Sequence, residues 1–318
     1  MNLELSESPD PQWNKRILLS KLGRYLQTTE HAKFLNSTNN YKPMFVYFKN
    51  DEKIVGQQLL FLRPRGTTLI KKTLGKLTQP YYFWKNSILI FDNNFQEEIL
   101  QQFTSFIKDK KFTGTDNPLA DYYLNLPLTK IGTVILKIKK TFDETISERD
   151  PTSTQKHIAE SAKLGIPTKK GVSIKEMKTK SDINDYIKIL NIHREKLGIE
   201  KRIPERVHEF FKVLQNGFGG GLLAYHDEKP ISGILYTIYN GWIQNMGVAN
   251  TEYSLKNKLS SLDYIRCWLI AKGIKSQANY FDFSGISVDP KNKKEEGIRH
   301  SQTKWGGKVV FYNRYTNM

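Results

Sequence analysis

Near its C-terminal end the chain reads ANYFDFSGISVDP (residues 278–290) and, after a Lys/Glu-rich turn, IRHSQTKWGGKVVFY (residues 298–312). The aromatic residues at the start of the first stretch predict a short strand, and Asp282 places one carboxylate inside it. Ser284-Gly285 is expected to break that strand. Trp305 and the two glycines after it lead to a final predicted strand at 309–312. The rest of the chain can be interpreted as a scaffold that delivers a substrate to this end.

Two side chains of this stretch are candidates for chemistry. Asp282, flanked by aromatic residues, is a candidate for proton transfer because burial raises the pKa of a carboxyl group. The alternative is a carboxylate that hydrogen-bonds a neighbouring loop. Lys304 could place an ammonium beside developing negative charge. The alternative is a surface lysine before a packed tryptophan.

Composition and charge bound the possible partners. The chain has 318 residues, enough for one large or two ordinary domains, and with 38% hydrophobic residues it can bury a core. The net charge of +17 favours a polyanionic partner such as nucleic acid, an anionic lipid surface or a phosphorylated substrate. A generally lysine-rich solvated surface remains the alternative, because the lysines are spread along the chain.

Several classes of protein and site are disfavoured. No apolar run reaches the roughly 18 residues that span a bilayer, and residues 1–11 lack the apolar region of a signal peptide, so we expect a cytoplasmic protein without a transmembrane segment. Cys267 is the single cysteine, which excludes an internal disulfide and a Cys-based zinc cluster. The six histidines are scattered, and we expect no metal site and no resident cofactor.

Two blocks of the chain share one predicted order of elements. Helix, two-strand hairpin, strand and helix follow one another near residues 17–108 and again near 181–273. We expect Ser181 to cap the first helix of the second block and residues 256–273 to form its last helix without interruption. The repetition predicts an α/β (α+β) chain with two domains of mixed sheets flanked by helices.

The glycine-rich run at 217–221 is in the wrong context for a phosphate loop, because it precedes a strand instead of opening a helix. We expect it to be a turn between a helix and a strand.

At this point the sequence resembles the Fem family of non-ribosomal aminoacyl transferases, which build peptidoglycan cross-bridges. The block 221–273, the strand at 280–286 and the Trp-Gly-Gly that follows resemble the C-terminal half of the family. In the N-terminal half the motifs fall in the family's order: Trp13, Gly23, Leu26-Gln27-Thr28, the hairpin with Val55-Gly56, and Gln79-Pro80. The resemblance covers nearly the whole chain.

The resemblance implies two tandem acetyltransferase-like (GNAT) domains, at 1–140 and 141–318. It implies an acyltransferase in which an acceptor amine attacks an activated acyl carbon, with aminoacyl-tRNA as donor and a nucleotide- or lipid-linked peptidoglycan precursor as acceptor. Positions matching the family's motifs are the implied substrate contacts: Gln27, Thr28, Tyr280, Gly285 and Trp305.

The chain departs from the family's pattern at three places. Where the family carries Phe-Lys before the terminal aromatic-Gly, this chain has Ser301-Gln302, so Gln302 stands at the position of the implied catalytic lysine and Lys304 is the nearest lysine. His31 replaces an expected tryptophan. The helical arm of some family members has no obvious counterpart.

One loop helps to distinguish an acyl-CoA donor from an aminoacyl-tRNA donor. GNAT enzymes hold the coenzyme A pyrophosphate on a glycine-containing loop at a helix start, and no glycine occurs between Asn250 and Lys258. We therefore expect aminoacyl transfer from an aminoacyl-tRNA donor, with acyl-CoA-dependent N-acyl transfer as the alternative. A second hypothesis, motivated by Gln302, is a non-catalytic GNAT-like protein that binds RNA or an anionic glycan.

Overall fold

The structure contains the two hairpins of long strands that the sequence predicts. The first joins β2 (Lys42–Asn50) to β3 (Lys53–Arg63), and the second joins β10 (Lys229–Tyr239) to β11 (Trp242–Asn250), with elements numbered along the chain. The second turn is Asn240-Gly241, with φ of 48° and 75°. Positive φ at both residues matches the twist of the flanking strands, which is why this dipeptide predicts a hairpin.

The computed structural model describes residues 1–63, 80–149 and 153–318, apart from the side chains of 153–155. Gln79 of the family-like Gln79-Pro80 pair lies outside the described residues. The described chain divides into a first unit, Met1–Gly132 with Val310–Met318, and a second unit, Thr133–Val309. The sequence-based boundary at residue 140 stays a prediction. No helix in these three ranges is long and apolar enough to cross a membrane.

The first unit is built on a mixed sheet with strand order β1-β2-β3-β4-β6-β13, with β5 beside β3. All pairings described for it are antiparallel except that of β4 with β6. The remaining strands are β1 Asn2–Ser6, β4 Tyr81–Trp84, β5 Leu89–Ile90, β6 Phe112–Thr115 and β13 Lys308–Thr316. The C-terminal strand β13 completes this sheet, because Arg314 pairs with Thr115 of β6.

Helices cover both faces of the sheet in the first unit, as the side chains of β2 show by pointing alternately to one face and the other. Val46 and Phe48 pack toward α3 (Gln96–Ile107) in one apolar cluster. Their neighbour Phe45 contacts Trp13 of α1 on the other face, with ring centroids 4.8 Å apart. The helices of this unit are α1 Trp13–Leu18, α2 Thr29–Asn39 and α3, with a 3₁₀ turn at Tyr25–Gln27 and another at Asn93–Phe95.

The second unit repeats the arrangement, with strand order β7-β12-β11-β10-β9-β8. Again one described pairing, that of β11 with β12, is parallel, whereas β8 to β11 are antiparallel. The remaining strands are β7 Leu128–Lys137, β8 Ser173–Glu176, β9 Gly219–His226 and β12 Tyr280–Ile286. The element order predicted from the sequence is thereby confirmed, and each unit has its parallel pair at the corresponding place.

Neighbouring residues of β9 lie in different cores, so this sheet is also buried on both faces. Leu222 belongs to the cluster under α9 (Ser261–Lys275), whereas Leu223 belongs to the cluster under α6 (Lys180–Lys196) and α7 (Pro204–Val213). Uninterrupted apolar runs are typical of a sheet covered on both sides. The helices are α4 Phe142–Thr145, α5 Ser153–Leu164, α6 Lys180–Lys196, α7 Pro204–Val213, α8 Glu252–Lys256, α9 Ser261–Lys275 and α10 Lys293–Thr303.

Three local predictions are wrong. Thr179, not Ser181, caps α6, because its hydroxyl accepts from the Asp182 N–H. The helix expected over 256–273 is two helices, α8 and α9, separated at Lys258 and Ser260, whose φ values are positive. Ser284 does not end β12, which continues to Ile286.

The glycine run is a turn only in part. A helical turn over Leu214–Phe218 covers its first two residues, and Gly219 already lies in β9. A Cβ at Gly219 would lie 2.0 Å from the carbonyl oxygen of Tyr236. The glycine therefore serves close approach of two strands rather than a ligand.

His31 should make the free energy of unfolding depend on pH. Its ring is 4% exposed among Tyr25, Phe34 and Phe61, and among the described residues neither nitrogen has a hydrogen-bond partner. Burial, with a smaller contribution from Lys85, lowers its pKa from 6.5 to about 3. Between these pH values the unfolded chain binds the proton and the folded chain does not, so stability falls as the pH drops below 6.5.

We expect His31→Phe to remove this loss. Relative to the unmodified protein, the free energy of unfolding of the variant should rise by about 2 kcal/mol between pH 8 and pH 5. Urea unfolding of both proteins at both pH values measures this. An identical difference between the two proteins at both pH values would contradict the assignment.

Candidate functional site

The second sheet opens between β11 and β12. The two strands pair from Trp242–Tyr280 to Gln244–Asp282 and then diverge, although β11 continues to Asn250 and β12 to Ile286. We call the gap between residues 245–250 and 283–286 the wedge. Along it the edge of β11 that faces β12 has no described strand to pair with, so its backbone N–H groups are available to a ligand.

A β-bulge in β11 lies at the narrow end of the wedge. Leu235 pairs with Gly247 and Tyr236 pairs with Asn245, so Met246 is the extra residue. Bulges bend a strand and redirect its groups, and they are frequent beside active sites.

Asn245 and Ser284 close this narrow end. The Asn245 amide donates to the carbonyl of Phe283 at 3.1 Å, and the Ser284 hydroxyl donates to the carbonyl of Asn245 at 2.9 Å. Asn245 is 6% exposed, and its Oδ1 has no hydrogen-bond partner among the described residues. Because a buried acceptor without a donor is costly, this oxygen is a natural contact for an N–H group of a substrate.

Asp282 is buried beside this point and fully engaged. Its Oδ1 accepts from the Thr133 hydroxyl at 2.6 Å and from the backbone N–H of Ser284 at 2.9 Å. Ser284 has a φ of 72°, which is unusual for a residue with a side chain. Asp282 therefore stabilises the backbone that turns β12 away from β11.

The other two predicted residues of β12 lie along the same strand. Tyr280 packs against Trp242 where the strands still pair, with ring centroids 4.7 Å apart. Gly285 is exposed and lies beyond the last pair of β11 and β12, along the wedge. The structure thus brings Asp282 and Gly285 to the wedge, with Tyr280 two residues before it opens.

Helix α6 supplies two further groups beside β11. A Cβ at Gly247 would lie 2.6 Å from the Tyr186 hydroxyl, so glycine allows the ring to lie against the strand. His193 hydrogen-bonds the backbone of Asn250 at the far end of β11. Burial lowers the pKa of His193, and the charge of Lys294 lowers it further. A neutral imidazole at neutral pH can accept a proton.

Lys304 is committed to a buried ion pair. Its Nζ lies 2.6 Å from Asp263 Oδ2, and both side chains are 13% exposed. Arg266 contacts the other oxygen of Asp263 at 3.4 Å and donates to the carbonyl of Ser301 at 2.7 Å. The three charges join α9 to the C-terminal end of α10.

Gln302 and Trp305 are buried beside this ion pair. Gln302 is 5% exposed and Trp305 is fully buried. Within the described part of the chain, Gln302 Oε1 and Trp305 Nε1 have no hydrogen-bond partner. A role for Gln302, Lys304 or Trp305 in substrate contact stays a prediction.

Gln27 and Thr28 belong to the first unit, where their polar groups are used internally. The Gln27 side chain accepts from the Arg24 N–H at 3.0 Å and donates to the carbonyl of Ser87 at 2.9 Å. The Thr28 hydroxyl caps α2 through the His31 N–H. These bonds account for both residues structurally, and their substrate-binding role stays a prediction.

At the corresponding place in the first unit no two described strands continue past their last pair, because β4 ends at Trp84 and β6 at Thr115. β4 pairs with β6 up to Trp84 and Gly114, and beyond that point Ser87 bridges the two segments. Its hydroxyl accepts from the Asn117 N–H at 2.8 Å and contacts Asp116 at 3.4 Å. An open gap between parallel strands is therefore a feature of the second unit.

Lys304 can be tested as a structural or catalytic group. Lys304→Met should lower the free energy of unfolding by about 3 kcal/mol, because it leaves the Asp263 carboxylate with Arg266 as its remaining ionic partner. Asp263→Asn in the same chain should recover most of that loss, measured by urea unfolding. If activity does not return with stability in the double variant, Lys304 contributes to the reaction as well.

The segment before α9 differs from a phosphate-binding loop. Short helix α8 occupies it, and the start of α9 is held by buried hydroxyls, with Ser261 Oγ 2.6 Å from Ser254 Oγ.

Asn245 and His193 are the groups that sequence reasoning missed. A signal for Asn245 was present, because asparagine and glycine are both depleted in strands and Asn245 and Gly247 lie inside a predicted one. His193 lies in the last turn of α6, where the sequence alone gives no such signal.

Several solved structures share this fold. FemX superposes with a TM-score of 0.69 at 12% identity, covering 98% of this chain and 96% of FemX. L-PGS from Bacillus licheniformis gives 0.57 at 11% identity, covering 99% and 94%. A tandem GNAT protein from the clavulanic acid biosynthesis pathway gives 0.50 at 11% identity, covering 98% of each chain. No protein-family model and no curated protein sequence matches the chain.

The chain therefore has a Fem-like fold of the tandem GNAT type, with mixed sheets flanked by helices, as its motifs predict.

Proposed function

We propose that this protein is an acyltransferase that moves an aminoacyl group from aminoacyl-tRNA to an amine of a cell-envelope precursor of the peptidoglycan type. The observation that carries the proposal is the open wedge of the second unit, in a fold that superposes on FemX over nearly its whole length. The net charge of +17 suits a donor that is a polyanion.

The wedge offers what acyl transfer to an amine requires. The amine attacks the carbonyl carbon of the ester, the carbonyl oxygen becomes negatively charged, and the ribose oxygen of the tRNA leaves. Backbone N–H groups along β11 would stabilise that negative charge. Asn245 Oδ1 would accept from the N–H of the attacking amine and so orient it.

The reaction also moves two protons. The attacking amine must lose a proton, and the leaving ribose oxygen must gain one. Water in the wedge would carry the proton between them, because His193 lies at Asn250, five residues and ~15 Å along β11 from Asn245, and so is out of direct reach. Asp282 would act as a positioning residue, since its hydrogen bonds hold Thr133 and Ser284.

The start of α9 favours an aminoacyl-tRNA donor over acyl-CoA. α8 and the Ser254–Ser261 contact occupy the segment on which a coenzyme A pyrophosphate would rest, and that segment has no glycine.

The donor is decided by a paired transfer assay. The protein is given a nucleotide-linked peptidoglycan precursor together with either tRNA charged with labelled amino acids or labelled acetyl-CoA. We expect label on the precursor from charged tRNA alone. Transfer from acetyl-CoA alone would establish the acyl-CoA alternative, and transfer from neither would overturn the assignment for this acceptor class.

A non-catalytic role has one observation in its favour, the buried Gln302 where the family carries a lysine. It predicts RNA affinity that falls steeply with salt and no transfer by the unmodified protein. In that case Gln302→Lys would be the variant that gains activity.

A further inference from the structure

Four large apolar side chains protrude from one region of the second unit. Leu164 and Ile166, at and after the end of α5, are 67% and 50% exposed. Tyr253 and Leu255 of α8 are 47% and 63% exposed. Single exposed apolar residues are ordinary on a protein surface, but a group of them marks an interaction site.

Hydrogen bonds hold the two segments against each other. Lys170 Nζ donates to the carbonyl of Lys258 at 2.9 Å. The Tyr264 hydroxyl, one turn into α9, donates to the carbonyl of Ile166 at 2.5 Å. These two bonds place residues 166–170 beside residues 258–264, and the four exposed apolar side chains belong to the segments that are joined in this way.

Lysines accompany these apolar residues along the chain. Lys169, Lys170, Lys256 and Lys258 are exposed on the same two segments. The nearby Glu252 is already neutralised, since it lies 2.8 Å from Lys196 and 3.7 Å from Lys256. We call these four lysines and four apolar residues the apolar–lysine face.

We propose that the apolar–lysine face docks the protein on a membrane surface that contains anionic phospholipid. Exposed apolar side chains gain free energy by entering the boundary between headgroups and acyl chains, and lysines at the same level meet the phosphates of the headgroups. Nucleic acid fits this face less well, because a phosphate backbone rewards the lysines but not exposed leucines. The proposal does not depend on the acyltransferase assignment.

Vesicle sedimentation tests the proposal directly. The full chain is mixed with vesicles of phosphatidylcholine, or of phosphatidylcholine with one third phosphatidylglycerol, at low and physiological salt. We expect binding to the anionic vesicles that weakens with salt, and little binding to phosphatidylcholine alone. No binding to anionic vesicles at low salt would overturn the proposal.

Three variants separate docking by this face from the general attraction of a basic protein. Leu164→Ser/Leu255→Ser should weaken binding to anionic vesicles about tenfold or more. Lys256→Gln/Lys258→Gln should weaken it by a similar factor. The matched control is Leu18→Ser/Leu19→Ser in the first unit, whose leucines are 53% and 76% exposed and which should bind as the unmodified chain does.

The pattern of results decides the matter. An equal loss in the control, or no loss in the leucine variant, would show that the charge of the whole protein suffices and would overturn docking by this face. Lysine variants that lose affinity for a labelled RNA but keep their affinity for vesicles would assign the face to nucleic acid instead. The substituted leucines are largely exposed, so each variant should unfold at the same temperature as the unmodified protein.

Discussion

Replacing Asn245 with leucine is expected to lower kcat for acyl transfer about a hundredfold while leaving the protein folded. Leucine has a similar volume, but it removes the buried oxygen proposed to orient the attacking amine. Loss of one well-placed hydrogen-bonding group in an active site typically costs this much. The measurement is the rate of transfer from charged tRNA, with urea unfolding alongside.

Gln58→Leu is the matched control. Gln58 is also a fully buried amide that donates to a backbone carbonyl, that of Asn86, at 3.2 Å, and its oxygen likewise has no partner within the described ranges. It belongs to the first unit and is not part of the proposed site. Equal rates for the Asn245 variant and the unmodified protein would remove Asn245 from the mechanism. An equal loss in both variants would show that the effect arises from folding.

Replacing Asp116 with alanine should lower the free energy of unfolding by about 3 kcal/mol. Asp116 is 5% exposed and accepts hydrogen bonds from the Tyr315 hydroxyl at 2.6 Å and the Asn313 amide at 2.8 Å. Alanine would leave both donors without that acceptor. Each buried donor that loses its hydrogen-bond partner costs about 1–3 kcal/mol. Urea unfolding measures the loss.

Tyr315→Phe distinguishes this network from a simple loss of volume. It removes one donor and keeps the ring, so it should cost about 1 kcal/mol. The Asp116→Ala/Tyr315→Phe double variant should be more stable than the sum of the single losses implies, since the phenylalanine no longer presents a hydroxyl without its acceptor. Strict additivity would contradict the network.

The fold was predictable because its signals are local and repeated. The hairpin at Asn240-Gly241 follows from turn chemistry, and the alternation along β2 and β9 follows from burial on both faces. The interruption between α8 and α9 was not predictable by periodicity, because Leu259 continues the apolar pattern although the residues on either side of it adopt positive φ.

The candidate site was predictable only in part. Asp282 and Gly285 were picked out on β12, but the wedge depends on where two strands stop pairing, which their individual sequences do not encode. Lys304 was identified as a possible free ammonium, whereas its partner Asp263 is 41 positions away along the chain. Contacts at such separations follow from the packing of α9 against α10, which a pattern of residue types does not reveal.

Strand β13 has a consequence for how the protein is made. Its residues from Val310 onward complete the first sheet, yet they are synthesised after the whole of 133–309. At ~5–20 residues per second, the ribosome leaves the N-terminal unit without its last strand for about 10 to 35 s. During that time β6 is an open edge on a nascent chain, and the second unit can fold before the first is finished.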